Sequence, residues 1–299
     1  MRLNLKSVLA SVAVVASLMY LGGCTKDEGV RPSSEVSIDE RGPILGGSAG
    51  GASASLIGLS RDNQLIHLVA GPPAQATSIV PITGLRVGEQ IIGIETRPST
   101  KELYGVSNQN LLYKIDKFNG MTRPVSLDTI EFNPNLTGDL VGLDFNPADD
   151  VLRIVTSDGQ NLRVSPTTGE VIGVDISFGA TGPVTFNSIA YSYPTSLGGK
   201  SDLFGIDLLS GNLYKVINPN AAEIQLVGNT GFSWTGDGGF EILPGNQVFT
   251  VQYGTSTVLK NPSGDDTGFP AYRLYGVSLA SGKTFSYGQV RPLIGLAAR

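Results

Sequence analysis

Three carboxylates occupy one position in a recurring segment of the chain. Glu95, Asp144 and Glu241 each stand three residues before a proline, at Pro98, Pro147 and Pro244. Tyr191 holds the same place before Pro194, and Ala297 holds it in the C-terminal segment. Acids at matching positions of a repeat meet in space if the repeats close on one another. Three chemistries are then open to them. Oxygen ligands converging on one point could hold a hard divalent cation. Two carboxyls at a set separation could hydrolyse a glycosidic bond. Each acid could instead accept hydrogen bonds from a neighbouring segment's backbone and tie the repeats together. Two residues before this column stand Gly93, Gly142, Ile189, Gly239 and Gly295, where glycine lets one backbone approach another closely.

Other chemistry-bearing residues have less context around them. Arg97, Asn146, Arg153, Asn161 and Arg163 lie inside strand-like segments. Arg153 and Arg163 could pair with Asp144 or Asp149 between repeats, or present a bidentate clamp to a carboxylate or sugar acid. Gly46-Gly47-Ser48-Ala49-Gly50 matches the G-x-S-x-G elbow, but that motif needs a strand before the serine and a helix after it. Neither pattern surrounds Ser48. His67, the single histidine, alternates with Leu65 and Val69 on one face of a strand and reads as a packing residue. Tyr191, Tyr193, Phe232, Trp234, Tyr253 and Tyr272 gather in the last two repeats. Phe232 and Trp234 share a glycine-rich loop, where exposed rings would stack on a sugar or anchor a partner, and buried ones would plug the core. The stretch 254–271 is the longest irregular insertion in the repeats, a length often associated with function or disorder.

The elements that must position these residues are short strands. Leu56-Ile57-Gly58-Leu59, Leu103-Tyr104-Gly105-Val106, Leu152-Arg153-Ile154-Val155, Leu203-Phe204-Gly205-Ile206 and Val248-Phe249-Thr250-Val251 resemble one another, with starts 47, 49, 51 and 45 residues apart. A period near 48 suits propeller blades. Before each copy after the first comes a proline-ended apolar strand. After each comes an alternating strand, a glycine- or asparagine-containing turn and a more variable fourth strand. The first copy lacks the proline-ended strand, and Pro292 to Arg299 supplies its pattern at the other end of the chain. The sequence therefore predicts an all-β, five-bladed β-propeller over residues 54–299, with the first blade completed by the C-terminal strand so that the ring has no open seam.

Val141-Gly142-Leu143-Asp144-Phe145-Asn146-Pro147, Leu152-Arg153-Ile154-Val155 and Gly159-Gln160-Asn161-Leu162-Arg163 carry a family resemblance. Together they resemble the bacterial family of domain of unknown function 4394, over most of residues 54–299. The resemblance implies an exported, propeller-like domain and implies no activity. This chain differs in what precedes that domain.

Residues 1–23 read as a secretory signal. Arg2 and Lys6 precede a mostly apolar run from Ser7 to Leu21, shorter than the roughly 20 residues that span a bilayer. The run ends in Leu21-Gly22-Gly23-Cys24, which resembles a bacterial lipobox and implies cleavage before Cys24 and acylation of its thiol. Thr25 after the cysteine resembles lipoproteins sent to the outer membrane. Lys26-Asp27-Glu28 resembles the acidic tag of surface-exposed lipoproteins, or is simply a solvated start, so the periplasmic and outer sides both stay open. Residues 24–53, rich in Gly, Ser and Pro, lack the apolar content to fold and form a flexible tether.

Composition removes other classes. The net charge is −5 and only 16% of residues are charged, so there is no basic footprint for nucleic acid. One cysteine excludes an internal disulfide framework and a Cys-rich zinc site, and one histidine excludes any site needing two imidazoles. No cofactor is called for beyond a divalent cation at the carboxylates. The expected function is a lipid-anchored envelope binding or scaffold module, non-catalytic, for a glycan or an envelope protein. The alternative is a carbohydrate-active enzyme working with Glu95, Asp144 and Glu241.

Overall fold

The computed structural model describes residues 53–126, 130–180, 184–196, 199–232, 236–254 and 271–299. Cys24, the tether with Ser48, Trp234 and most of the 254–271 insertion lie outside the described residues. Within them, twenty strands, β1–β20, form five four-stranded antiparallel sheets. The innermost strands are β4 (Ile91–Thr96), β8 (Val141–Phe145), β12 (Phe186–Tyr191), β16 (Gly238–Leu243) and β20 (Gly295–Ala298). Each packs against two others: β4 on β8, β8 on β12, β12 on β16, β16 on β20, and β20 on β4. The result is a closed five-bladed β-propeller. No α-helix occurs among the described residues, only single 3-10 turns at Phe178–Ala180 and Pro219–Ala221. No helix among them is long and apolar enough to cross a membrane.

Closure occurs where the sequence puts it. β20 pairs antiparallel with β1 (Ala54–Leu59), in the register Leu56 to Ala298, Ile57 to Ala297, Gly58 to Leu296 and Leu59 to Gly295. Blade 1 is thus made from both ends of the domain. Each apolar core joins two neighbouring blades. Tyr104 of blade 2 packs edge-on against Phe145 of blade 3, with ring centroids 5.2 Å apart. Phe178 of blade 3 meets Phe186 of blade 4 at 4.9 Å. Strands in the middle of a blade are covered on both faces, which is why Leu152–Thr156 and Leu203–Asp207 are buried throughout rather than alternating.

The approach of the inner strands sets a steric limit. A Cβ on Gly239 would stand 2.5 Å from the backbone nitrogen of Leu296, and one on Gly142 would stand 2.9 Å from the Cα of Ser188. Glycine is what lets β16 approach β20 and β8 approach β12.

The register corrects the sequence alignment in blade 4. Glu95, Asp144, Glu241 and Ala297 lie opposite Tyr104, Arg153, Phe249 and Ile57. The equivalent partner, Phe204, lies opposite Ala190, not Tyr191. In blade 4 the column residue stands four places before Pro194 rather than three, so counting back three from the proline falls one short. For the same reason Ser188, not Ile189, takes the glycine position.

Closure by β20 makes a direct prediction. Deleting residues 293–299 removes the buried Leu293, Leu296 and Ala297 and strips β1 of its pairing with β20. Burying a leucine contributes about 1.5–3 kcal/mol, and a typical domain has only about 5–15 kcal/mol in total. The truncated chain is expected to lose its cooperative thermal transition, followed by circular dichroism. A melt like that of the intact chain would mean that the seam contributes little.

Candidate functional site

The structure brings Glu95, Asp144 and Glu241 together near the ends of β4, β8 and β16, at the proline-proximal end of the axis. All three are buried, at 2%, 6% and 3% exposure. Each accepts a backbone N–H. The amide of Tyr191 donates to Asp144 Oδ2, tying blade 3 to blade 4. The amide of Ala298 donates to Glu241, tying blade 5 to blade 1. Glu95 Oε1 takes the amide of Thr96, whose hydroxyl donates in turn to the carbonyl of Ala298 at 2.5 Å. Glu95 and Glu241 are close enough to act on each other electrostatically. Oε2 of each is buried and has no hydrogen-bond partner.

Buried carboxylates this close repel one another, and a proton retained on one of them relieves the repulsion. The electrostatics agree with a retained proton. Burial first, then the charges of Glu241 and Asp144, raise Glu95 well above the usual carboxylate range. Burial, followed by Asp144, does the same to Glu241. Burial also pushes Asp144 up to about 8, against the opposing effect of its two backbone donors. Tyr193 lies near the group, and its phenol is raised by burial and then by Glu241, Glu95 and Asp144. Among the described residues, no three His, Cys, Asp or Glu side chains are arranged to hold a metal ion.

The channel beside the acids is narrow. Lined by residues such as Gly93, Gly142, Ser188, Gly239 and Gly295, it offers about 20 Å3, little more than the roughly 10–15 Å3 one water requires. At the other end, where the inner strands begin, it opens into a mouth of about 120 Å3. Arg61, Gln90, Asp139, Asn187 and Asp237 line this mouth. Asp237 is buried, and its Oδ2 accepts from Arg61 Nε at 2.6 Å and from the Tyr272 hydroxyl at 3.2 Å. Sequence analysis did not single out these mouth residues, apart from Tyr272 among the aromatics. The signal was present: Gln90, Asp139 and Asp237 are polar residues one or two places before an inner strand.

Other sequence-derived candidates resolve differently. Arg153 and Arg163 do not pair with Asp144 or Asp149. Both bind Asp175, at 3.0 and 2.9 Å, because Arg153 turns outward along its blade. Arg153 also donates to the Tyr191 hydroxyl, Asn161 and Asn220, so it pins blade 3 to blade 4 rather than facing a ligand. Arg97 bridges blade 2 to Asp150 of blade 3 at 2.5 Å. Phe232 is not an exposed loop ring: it is buried against Tyr275 at 4.5 Å, within the core shared by blades 4 and 5. His67 is buried, with Nε2 2.8 Å from the Lys117 carbonyl and Nδ1 unpartnered.

A family model described as a domain of unknown function, DUF4394, matches residues 64–297, and the chain belongs to that family. No curated protein matches it. Among solved structures it is similar to the hydrazine synthase of Kuenenia stuttgartiensis, at 12% identity over 82% of this chain and 69% of that one, with a TM-score of 0.39. It is similar to U3-55K at 8% identity over 83% and 86% of the two chains, with a TM-score of 0.42. A structural genomics protein of unknown function from Bacteroides thetaiotaomicron matches at 12% identity over 57% and 46%, with a TM-score of 0.37. Likenesses at this level say nothing of activity.

The acids give stability a pH dependence. Their pKa values are raised on folding, so the folded chain binds more protons than the unfolded one. Stability is then greatest near the unfolded carboxylate range, about 4, and falls as pH rises through the folded values, with Asp144 at about 8. His67 opposes this on the acid side only: burial lowers its pKa, so its contribution is lost as pH falls below the ordinary imidazole value of about 6.5. The melting temperature is expected to fall from mildly acid to alkaline pH, and to fall less steeply in Glu95→Gln/Glu241→Gln. A wild-type profile as flat as the variant's would contradict the retained proton.

Proposed function

We propose that the chain is a lipid-anchored recognition module of the bacterial envelope, a non-catalytic propeller that binds a glycan or an envelope protein. One observation carries the non-catalytic part. The three acids that could have been catalytic are buried and accept backbone amides, line neither axial cavity, and adjoin a channel with room for about one water. A glycosidase needs two acids flanking a bound sugar, with carboxyl groups about 5–10 Å apart in an accessible cleft. That requirement weighs against the carbohydrate-active alternative. The cation reading of the same residues draws less support for a related reason: burial and the neighbouring acids hold Glu95 well above the usual carboxylate range, where a carboxyl is a poor cation ligand.

The anchoring part rests on the lipobox-like Leu21-Gly22-Gly23-Cys24. A lipid on Cys24 would tether the propeller to the outer membrane, the destination that Thr25 supports. One chain alone binds a membrane weakly, and two or more hold it firmly.

Both parts are testable on the full chain expressed in a Gram-negative host with an alkyne-tagged fatty acid. The wild type is expected to take up the label and fractionate with membranes, and Cys24→Ser is expected to lose both properties. The purified wild type should leave a panel of glycans uncut. Label retained in Cys24→Ser would overturn the anchor. Glycan cleavage by the wild type that disappears in Glu95→Gln/Glu241→Gln would overturn the non-catalytic reading.

A further inference from the structure

The two ends of the propeller axis are unequal. One is occupied by the acid cluster. The other is the 120 Å3 mouth, to which every blade contributes a polar side chain: Arg61, Gln90, Asp139, Asn187 and Asp237 from blades 1 to 5 in order. Convergence of all five blades on one open pocket is what ring closure produces, and such a pocket is the default place for a ligand.

Its chemistry narrows the ligand. Arg61 and Asp237 neutralise one another, with Oδ2 of Asp237 taking Nε at 2.6 Å. Asp237 is buried and also holds the Tyr272 hydroxyl, so the guanidinium is oriented in advance. Asn187 is buried as well, and its Nδ2 donates to the Gly236 carbonyl at 2.8 Å. Gln90 and Asp139 stand exposed at the rim. The wall therefore offers two amides, two carboxylates, one of them paired, and an oriented guanidinium, a set that both donates and accepts. Ile92, Val141 and Ile294 give the same pocket apolar ground. A phosphate or a small cation would need a stronger excess of charge of one sign. A purely apolar ligand would cover the Gln90 and Asp139 side chains at the rim without offering them a partner. A sugar ring presents hydroxyls at its edge and C–H groups on its faces, and it matches both features.

We propose that the mouth binds a neutral, polyhydroxylated ligand, the terminal sugar of a glycan. The proposal rests on the recognition reading above and gives it a site and a ligand class. Gln90 and Asp139 take hydroxyls at the rim, and Arg61, Asn187 and Asp237 hold the deeper edge of the ring.

The test is a glycan array probed with the full chain, followed by calorimetric titration of the neutral oligosaccharide that binds. Gln90→Ala and Asp139→Ala are compared with the wild type, and melting temperatures are measured alongside. Both side chains are exposed, so both variants should melt as the wild type does. Each is expected to weaken binding about tenfold or more, equivalent to about 1.4 kcal/mol. Neutral-sugar binding that is unchanged in both variants would overturn the mouth as the site, while leaving recognition intact. Binding confined to anionic glycans, or no glycan binding at all, would overturn the ligand class. Envelope proteins captured by crosslinking through the Asp139 position would then keep the recognition reading with a different partner. Finding neither would remove both.

Discussion

The structure depends on five inner strands packing around one axis with almost no space between them. Gly142 and Gly239 permit that approach, and the antiparallel pairing of β20 with β1 makes it permanent. An open five-blade array would leave an unpaired edge at each end, and edges invite pairing with other chains. Closure removes them, and it also forces residues far apart in sequence into one small volume. Glu95, Asp144 and Glu241 meet for this reason alone.

From that crowding the electrostatics follow. Charges placed in a dry, narrow space must be paired, hydrogen-bonded or neutralised. Here Asp144 and Glu241 accept backbone amides from the next blade, and burial with the neighbouring acids raises Glu95 and Glu241 well above the usual carboxylate range. The cluster acts as a clasp joining blades 2, 3 and 5 across the axis, with blades 4 and 1 reached through the amides. Arg153 and Arg97 perform a related task further out, between blades 3 and 4 and between blades 2 and 3. The same geometry leaves the opposite end of the axis open, where the chain enters the inner strands and connecting residues can face solvent.

Much of this was legible in the sequence, for identifiable reasons. The proline after four of the five inner strands and the Leu-Tyr-Gly-Val pattern repeat strongly enough to give blade number, blade order and the C-terminal closure. The acid column was legible because three blades share it. Blade 4 misled because one extra residue before Pro194 moves Ala190 into the column, and a register error of one residue exchanges the faces of a strand. Phe232 misled because a glycine-rich loop can still turn a ring into the core. The partner of Arg153 was hidden because Asp175 lies just beyond the variable fourth strand of its blade, where no repeat marks it. The mouth was hidden most thoroughly. Four of its residues come from connectors and one, Asn187, from β12, with no common motif, and only closure of the ring makes them neighbours.

The central claim is that the axial acids are a protonated clasp. Infrared difference spectroscopy of the carboxyl groups tests it most directly, comparing wild type with Glu95→Gln/Glu241→Gln at neutral pH. The account predicts a protonated carboxylic-acid carbonyl band in the folded wild type that is absent from the variant. A wild-type spectrum with only ionised carboxylates at neutral pH would contradict it, and would return the three acids to the role of an anionic site awaiting a cation.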